Sequence, residues 1–261
     1  MINILYIAGA GRSGSTLLER ILGQLDGSVA VGELRHLWRE DPAGQRCGCG
    51  ELLDQCEFWR AILARANIRA DAAGFSAMRQ LQREVDRIRF VPRMLNPALA
   101  GRDYKLRHSD YTGLLRDMYL AIHEMTGAKI IVDSSKDIST LYLLSKLADV
   151  RIRVLHMIRD SRAVAYSWTR EKERLYVVDR VTYMPRYSPL RSAGDWLYRN
   201  ILTEMARGRV AGYRRLLYEQ LVVDPLETGG LQILDQRGQI PIGAPLVGNE
   251  SKLHGRIDCR L

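Results

Sequence analysis

Glycines and hydroxyl residues surround one arginine near the start of the chain, in an arrangement that can hold a phosphate group. The stretch reads Gly9-Ala10-Gly11-Arg12-Ser13-Gly14-Ser15-Thr16. Glycines let successive backbone N–H groups turn toward one anion, while the hydroxyl groups and Arg12 add further donors. An apolar run, Ile4 to Ala8, precedes the stretch, and leucines at helical spacing follow it. This order of strand, glycine-rich turn and helix predicts a phosphate-binding loop.

The loop differs from the nucleotide-kinase pattern at one position. That pattern has a glycine, four residues, a second glycine, a lysine, and then serine or threonine. Gly9, Gly14 and Thr16 fit it, but Ser15 replaces the lysine. Arg12, three residues before Ser15, is the only cation of the loop.

A second cationic stretch follows another predicted strand. Arg159 comes directly after the apolar run that ends at Ile158, and Ser167 comes eight residues later. If a helix begins near Ala163, Ser167 lies on the face that can meet the same phosphate as Arg159. A guanidinium fork and a hydroxyl group suit a phosphate monoester.

Predicted strands and helices alternate through most of the chain, which is typical of an α/β fold. The predicted strands are residues 4–8, 28–31, 129–132, 153–158 and 214–218. We expect a P-loop-containing, three-layer α/β/α arrangement with a central parallel sheet. Residues 1–261 are predicted to form one domain. Two segments depart from the alternation: a helical cap or insert at approximately 70–110 and a mobile loop at approximately 171–190.

Helices are predicted where apolar residues recur at helical spacing. They cover residues 57–66, 75–88, 111–125, 138–148, 163–170 and 195–207, and another begins near Glu33. Within the cap, a loop with Pro92 and Pro97 leads to a charged cluster. The cluster consists of Arg102, Lys105, Arg107 and His108.

Four ionisable residues follow four different predicted strands. They are Arg12, Glu33, Lys136 and Arg159. Ligands of parallel sheets bind beyond the carboxyl ends of the strands. We therefore expect these side chains to converge on one crevice.

The charge of the chain favours an anionic partner. Its 261 residues include 39 Lys and Arg against 30 Asp and Glu, for a net charge of +9. The arginines are dispersed, without a lysine-rich run or an RNA-binding aromatic signature, so a small anionic ligand is favoured over nucleic acid. The sequence shows neither a basic leader nor a long apolar segment, which predicts a cytoplasmic protein without an integral membrane segment.

Three of the four cysteines lie close together in sequence. Cys47, Cys49 and Cys56 can be free thiols, can form a disulfide, or can bind a metal with His36 as a conceivable fourth ligand. A reducing cytosol favours free thiols. Cys259 stands far away in sequence.

The two cationic stretches resemble those of P-loop sulfotransferases, which use 3′-phosphoadenosine 5′-phosphosulfate. Arg12 to Thr16 is similar to the arginine version of the 5′-phosphosulfate loop in carbohydrate and tyrosylprotein members. Arg159 to Ser167 resembles the 3′-phosphate motif, with Ser161 in place of a proline. Further similar positions are Gly32-Glu33, Ser135-Lys136-Asp137, Trp196, Asn200, Tyr218 to Leu221, and the cysteine loop with Phe58-Trp59, which is similar to a bacterial subgroup.

This resemblance implies a sulfuryl transferase that releases adenosine 3′,5′-bisphosphate and requires no metal. The implied cofactor-binding residues are Gly11, Arg12, Ser13, Gly14, Ser15, Thr16, Arg159, Ser167 and Tyr218. The implied catalytic residues are Glu33 as general base with Arg12 and Lys136, while His108 and His36 are alternative bases. The acceptor is left open among carbohydrates, small-molecule or lipid alcohols, phenols and protein tyrosines. Gly248 to Lys252 departs from the family's nucleotide-closing stretch.

Two other functions remain open from the residues. An ATP- or GTP-dependent kinase would use Asp133, at the end of an apolar strand, to bind magnesium. A non-catalytic nucleotide-binding module would bind the nucleotide without an acceptor-dependent reaction. The sequence predicts no oligomeric state.

Overall fold

A five-stranded parallel sheet forms the centre of the protein in the computed structural model, which describes residues 1–225. The strands are β1 (Ile2–Gly9), β2 (Ser28–Ala30), β3 (Ile130–Lys136), β4 (Val150–Ile158) and β5 (Gly212–Leu217). Their order across the sheet is β2-β3-β1-β4-β5, and every neighbouring pair is parallel. The predicted α/β fold class with a central parallel sheet is therefore confirmed.

Helices cover both faces of this sheet. They are α1 (Ser15–Leu22), α2 (Glu57–Arg65), α3 (Ala72–Val85), α4 (Val91–Leu95), α5 (Arg102–Thr126), α6 (Ile138–Leu144), α7 (Ser161–Thr169), α8 (Pro189–Met205) and α9 (Tyr218–Val223). Within residues 1–225, no helix combines the length and the apolar character that a membrane span requires.

Alternate residues of β1 point into two separate hydrophobic clusters. Ile4 and Tyr6 pack into the larger cluster, with side chains from α2, α3, α5 and α6. Leu5 and Ile7 pack into the smaller cluster, with side chains from α1 and α9. Because successive side chains of a strand face opposite sides, β1 is buried on both faces. The larger cluster therefore lies on the face opposite α1.

The structure differs from the sequence predictions at several element boundaries. The charged cluster from Arg102 to His108 forms the first turns of the 25-residue helix α5, which was predicted to begin only at residue 111. Exposed charged side chains are compatible with a helix whose other face is buried. The helix expected near Glu33 is a single 3-10 turn, Leu34–His36.

Two further boundaries fall at residues that begin helices. Tyr218 begins α9 instead of ending β5. Helix α8 starts at Pro189, inside the predicted loop, because Ser188 caps it and accepts a hydrogen bond from the Arg191 backbone at 3.4 Å. Proline is favoured at a first helical position, where its missing N–H has no helical partner.

A buried carboxylate joins the end of α3 to α6 and to the segment after β2. Asp86, which is 0% exposed, accepts hydrogen bonds from Ser139 Oγ at 2.5 Å and Thr140 Oγ1 at 2.7 Å. Arg35 Nε lies 3.3 Å from the same carboxylate, and the Arg35 guanidinium also donates to the Asp86 carbonyl at 2.8 Å. The Asp86 carboxylate thus holds together three parts of the chain: the segment after β2, the end of α3 and the start of α6.

We predict that Asp86→Ala destabilises the protein by about 3–5 kcal/mol, because it leaves the buried Arg35 charge without its main partner. Urea denaturation followed by circular dichroism measures this change in unfolding free energy. Asp117→Ala is the control, because Asp117 pairs with Arg116 at the surface and exposed ion pairs contribute little. Equal midpoints for the two variants would contradict the structural role of Asp86.

Candidate active site

The loop between β1 and α1 contains two residues with positive φ. Gly14, at 91°, is the N-cap of α1. Arg12, at 69°, occupies the left-handed region, which non-glycine residues rarely adopt. Ser15 begins α1, so the backbone N–H groups of that first turn face the loop without helical acceptors. The loop and the helix end together favour an anion.

Three buried donors of this region lack hydrogen-bond partners within residues 1–225. They are Arg12 Nε, Ser13 Oγ and Arg159 Nε. Leaving such a buried group unsatisfied costs about 1–3 kcal/mol. Burial lowers the pKa of Arg12, although the Glu33 charge raises it, and a guanidinium remains protonated at neutral pH. These donors are suited to an anionic ligand.

Arg159 and Tyr218 close one side of the loop. The Arg159 guanidinium lies 4.3 Å from the centre of the Tyr218 ring, and its Nη1 donates to the Arg12 carbonyl at 3.0 Å. A Cβ on Gly14 would lie 2.3 Å from the Tyr218 ring, so a side chain at this position would displace the tyrosine. The residues that follow β4 and β5, Arg159 and Tyr218, therefore contact the same loop.

Trp168 closes the other side. Its ring lies 4.8 Å from the Arg12 guanidinium and stacks on Tyr187 at 4.6 Å between ring centres. A Cβ on Gly11 would approach the Trp168 ring to 2.9 Å. Sequence reasoning missed the contact between Trp168 and Arg12. The position of Trp168 directly after Ser167 was the available signal.

Two predicted ligand-binding residues are not joined to the others by direct contacts. Ser167 is half-buried on α7, and its side chain makes no hydrogen bond within residues 1–225. Thr16 is exposed in the first turn of α1. Their assigned roles remain predictions.

Glu33 and Lys136 form an ion pair beside this loop. Lys136 Nζ contacts Glu33 Oε1 and donates to the Ser134 carbonyl at 2.9 Å. His36 Nε2 lies 3.3 Å from the other oxygen of Glu33. Burial raises the pKa of Glu33, but the charge and hydrogen bond of Lys136, together with the neighbouring His36 and Arg39, outweigh this effect and hold the pKa below its ordinary value. Glu33 is 33% exposed, so solvent screens part of this interaction.

The histidines proposed as alternative bases have different surroundings. Burial lowers the pKa of His36 to about 3, so His36 is neutral beside Glu33. His108 lies on α5 with its ring 5.7 Å from that of Tyr104. Burial, reinforced by the Lys146 charge, lowers the pKa of His108. Of the two, His36 is the one that contacts Glu33.

The buried carboxylate of Glu19 positions both members of the ion pair. Glu19 accepts hydrogen bonds from the Gly32 backbone at 2.7 Å and from Ser134 Oγ at 2.6 Å. These bonds tie α1 to the residue before Glu33 and to the strand that ends at Lys136. Sequence reasoning missed Glu19, although it follows Leu18 on the buried side of a short helix.

Asp133 is placed unfavourably for the magnesium-binding role that a kinase would require. It is 0% exposed, accepts a hydrogen bond from the Tyr119 hydroxyl, and accepts another from the Ser135 backbone at 2.7 Å. Tyr119 belongs to the larger cluster, on the face opposite α1. The carboxylate therefore points away from the phosphate-binding loop.

Comparison with known proteins identifies the family of the chain. A sequence model of the sulfotransferase family matches residues 5–230. The chain belongs to this family. It is therefore an enzyme of sulfuryl transfer. No curated protein was found that matches the chain.

Two solved structures are similar to this sulfotransferase. The sulfotransferase domain from the curacin biosynthetic pathway is 16% identical, with a TM-score of 0.44, over 87% of this chain and 71% of that one. Sulfotransferase STF9 from Mycobacterium avium is 15% identical, also with a TM-score of 0.44, over 87% of this chain and 62% of that one. The family assignment rests on the sequence match.

Of the residues predicted for the site, most follow the carboxyl ends of the strands. Arg12, Arg159 and Tyr218 form one contact group, and Glu33 and Lys136 form another. Gly248 to Lys252 lies outside the described residues.

We predict that Lys136→Met raises the pKa of Glu33, because burial then acts without the largest of the charges that oppose it. In the wild type, Glu33 should titrate below the ordinary glutamate value of about 4.3. The ion pair therefore stabilises the folded state above that pH, and this contribution is lost as the pH falls through the lowered pKa. Carbon-13 NMR of labelled glutamate measures the titration. Lys105→Met, on the exposed side of α5, is the control, and an unchanged Glu33 titration in Lys136→Met would rule out the pairing.

Proposed function

We propose that the protein transfers the sulfuryl group of 3′-phosphoadenosine 5′-phosphosulfate to a hydroxyl group of a small-molecule, carbohydrate or lipid acceptor, or of a phenol. The observation that carries the proposal is a set of buried donors on Arg12, Ser13 and Arg159 that have no hydrogen-bond partner among residues 1–225, beside a lysine-free loop. Membership of the sulfotransferase family supports the reaction class.

The residues around the loop fit such a nucleotide. Its 5′-phosphosulfate would be held by the loop from Gly11 to Thr16, with the charge of Arg12. Arg159 and Ser167 would hold the 3′-phosphate, and Tyr218, whose ring stacks on Arg159, would lie near the adenine. When bound, the nucleotide supplies an activated sulfuryl group with a phosphate leaving group.

Lys136 and Glu33 have the two remaining roles in the proposed reaction, which are charge stabilisation and proton transfer. Lys136 would stabilise negative charge on the transferring group, as a fixed cation does in phosphoryl transfer. Glu33 would accept the proton of the acceptor hydroxyl. Because Lys136 holds the pKa of Glu33 down, a shift of the ammonium group away from the carboxylate would make Glu33 more basic. The ion pair therefore keeps the base deprotonated and sets its strength.

The helices of residues 72–100 brace the segment that carries Glu33. From α3, Arg79 Nε donates to the Trp38 carbonyl at 2.7 Å, and Gln82 Nε2 donates to the Arg35 carbonyl at 2.8 Å. We propose that this insert, within one sulfotransferase domain, shapes the acceptor side of the site.

A non-catalytic nucleotide-binding module would require the same phosphate contacts but not Glu33. The placement of a deprotonated carboxylate beside a lysine and the loop favours an enzyme over such a module. The kinase alternative is disfavoured, because Ser15 replaces the loop lysine and Asp133 faces away from the loop.

We predict that adenosine 3′,5′-bisphosphate binds more tightly than ATP and does so without magnesium. Isothermal titration calorimetry measures both affinities. Arg159→Ala should weaken bisphosphate binding by roughly 10- to 100-fold, because a hydrogen bond to a charged group contributes about 1.5–3 kcal/mol. Arg162→Ala should leave the affinity unchanged, because Arg162 is 89% exposed and pairs with Asp160. Tighter, magnesium-dependent ATP binding would exclude the proposed cofactor.

We predict that Glu33→Gln lowers turnover on an alcohol acceptor by roughly 10²–10⁴, the usual contribution of a positioned acid–base group. The substitution preserves the shape of the side chain, so bisphosphate affinity should remain nearly unchanged. Acceptors are screened with labelled sulfate donor and identified by product mass, and the best alcohol and the best phenol are then compared. The phenol should be affected less, because it loses its proton more readily.

Glu40→Gln is the matched control for this substitution. Glu40 lies in the same segment, but it pairs with Arg180 at 2.9 Å. The turnover of Glu40→Gln should therefore equal that of the wild type. Wild-type turnover in Glu33→Gln would mean that Glu33 is not the base.

A further inference from the structure

The sulfur atoms of three cysteines converge at the hairpin before α2. Cys56 Sγ lies 3.7 Å from Cys47 Sγ and 3.8 Å from Cys49 Sγ, and all three lie within 4.8 Å of one another. Four sulfurs that bind one zinc ion tetrahedrally at about 2.3 Å would lie about 3.8 Å apart. A disulfide would require two of them at about 2.05 Å. The two closest separations therefore match two edges of a zinc–thiolate tetrahedron.

The backbone of the hairpin is arranged around these sulfurs. Cys47 N donates to the Glu51 carbonyl at 2.8 Å, and Gly50 N donates to the Cys47 carbonyl at 2.9 Å. Gly50, with φ of 98°, allows the tight turn between these bonds. The Cys49 backbone also donates to the Cys47 sulfur. A short hairpin thus presents two cysteines, while the third occupies the N-cap position of α2.

We propose that Cys47, Cys49 and Cys56 bind a structural zinc ion. Structural zinc sites are tetrahedral and are commonly formed by four cysteines or by three cysteines and a histidine. The three cysteines supply three of the four ligand positions. Cys47 and Cys56 are buried and Cys49 is exposed, so the ion enters from the solvent side of the hairpin. This assignment differs from the free thiols that the sequence favoured. His36 is engaged with Glu33 and lies outside the three-cysteine group.

The zinc-bound hairpin would anchor the loop that follows α7. Arg46 N donates to the Tyr176 carbonyl at 2.7 Å, and Val178 N donates to the Gly44 carbonyl at 3.1 Å. The Tyr176 hydroxyl accepts a hydrogen bond from Arg39 Nη1 at 3.2 Å, and Arg39 Nη2 lies 3.1 Å from His36 Nδ1. Because His36 contacts Glu33, the hairpin is connected through one row of polar contacts to the candidate base.

The test measures metal directly. We expect the full chain, purified without chelator, to contain about one zinc per molecule by inductively coupled plasma mass spectrometry, as a thiolate site implies. Exchange with Co²⁺ should produce the absorption bands of tetrahedral cobalt thiolate. Cys49→Ser should weaken Co²⁺ binding by at least about 10-fold. Cys49 is exposed, so this variant should remain folded by circular dichroism. Asp54→Asn, in the turn between the hairpin and Cys56, should retain the metal.

Two outcomes would overturn the proposal. One is a reduced wild-type chain that takes up neither Zn²⁺ nor Co²⁺. The other is a metal-free chain whose alkylation pattern shows a disulfide among the three cysteines.

The anchoring role has its own test. Removal of the zinc should speed amide exchange at Arg46 and Val178, measured by mass spectrometry, and unchanged exchange would overturn this role. These measurements do not depend on turnover, so they can fail while the proposed sulfuryl transfer stands.

Discussion

The glycine-rich loop brings two guanidinium groups together without a carboxylate ion pair for either one within residues 1–225. Arg159 donates to the backbone carbonyl of Arg12, and each arginine rests on an aromatic ring. An aromatic face holds a guanidinium group without neutralising its charge. The positive charge therefore remains available to an anion. An anion-binding site at this loop depends on this charge.

The two carboxylates near the loop bind other groups, so neither neutralises the positive charge of Arg12 and Arg159. Glu19 is buried under the sheet edge and bonded to Gly32 and Ser134, and burial raises its pKa. Glu33 is paired with Lys136, so most of its charge is balanced locally. One carboxylate thus supports the backbone, while the other is kept deprotonated beside the loop. This separation of roles is what a site needs if it binds an anion and also removes a proton.

Much of the structure outside the loop holds the segment after β2 in place. Strand β2 is only three residues long, so its own pairing restrains little of the chain that follows. Asp86 holds Arg35, α3 holds Trp38 through Arg79, and Glu19 holds Gly32. The cysteine hairpin adds a further restraint through the loop of Tyr176. The insert between β2 and β3 therefore helps to fix the position of Glu33 relative to Lys136.

The sequence by itself determined the features that depend on local pattern. Apolar runs followed by glycine, lysine or arginine predicted the parallel strands and the loop, because strand periodicity and turn chemistry act over a few residues. Convergence at the strand ends was also predictable, because parallel strands bring their carboxyl ends to one edge. Tertiary structure alone decided the pairing of Glu33 with Lys136, the stacking of Tyr218 against Gly14, and the bonds of Glu19 and Asp86. These contacts join residues that are 13 to more than 200 positions apart. Local periodicity carries no information about such distances, so only the packing of the helices on the sheet brings these groups together.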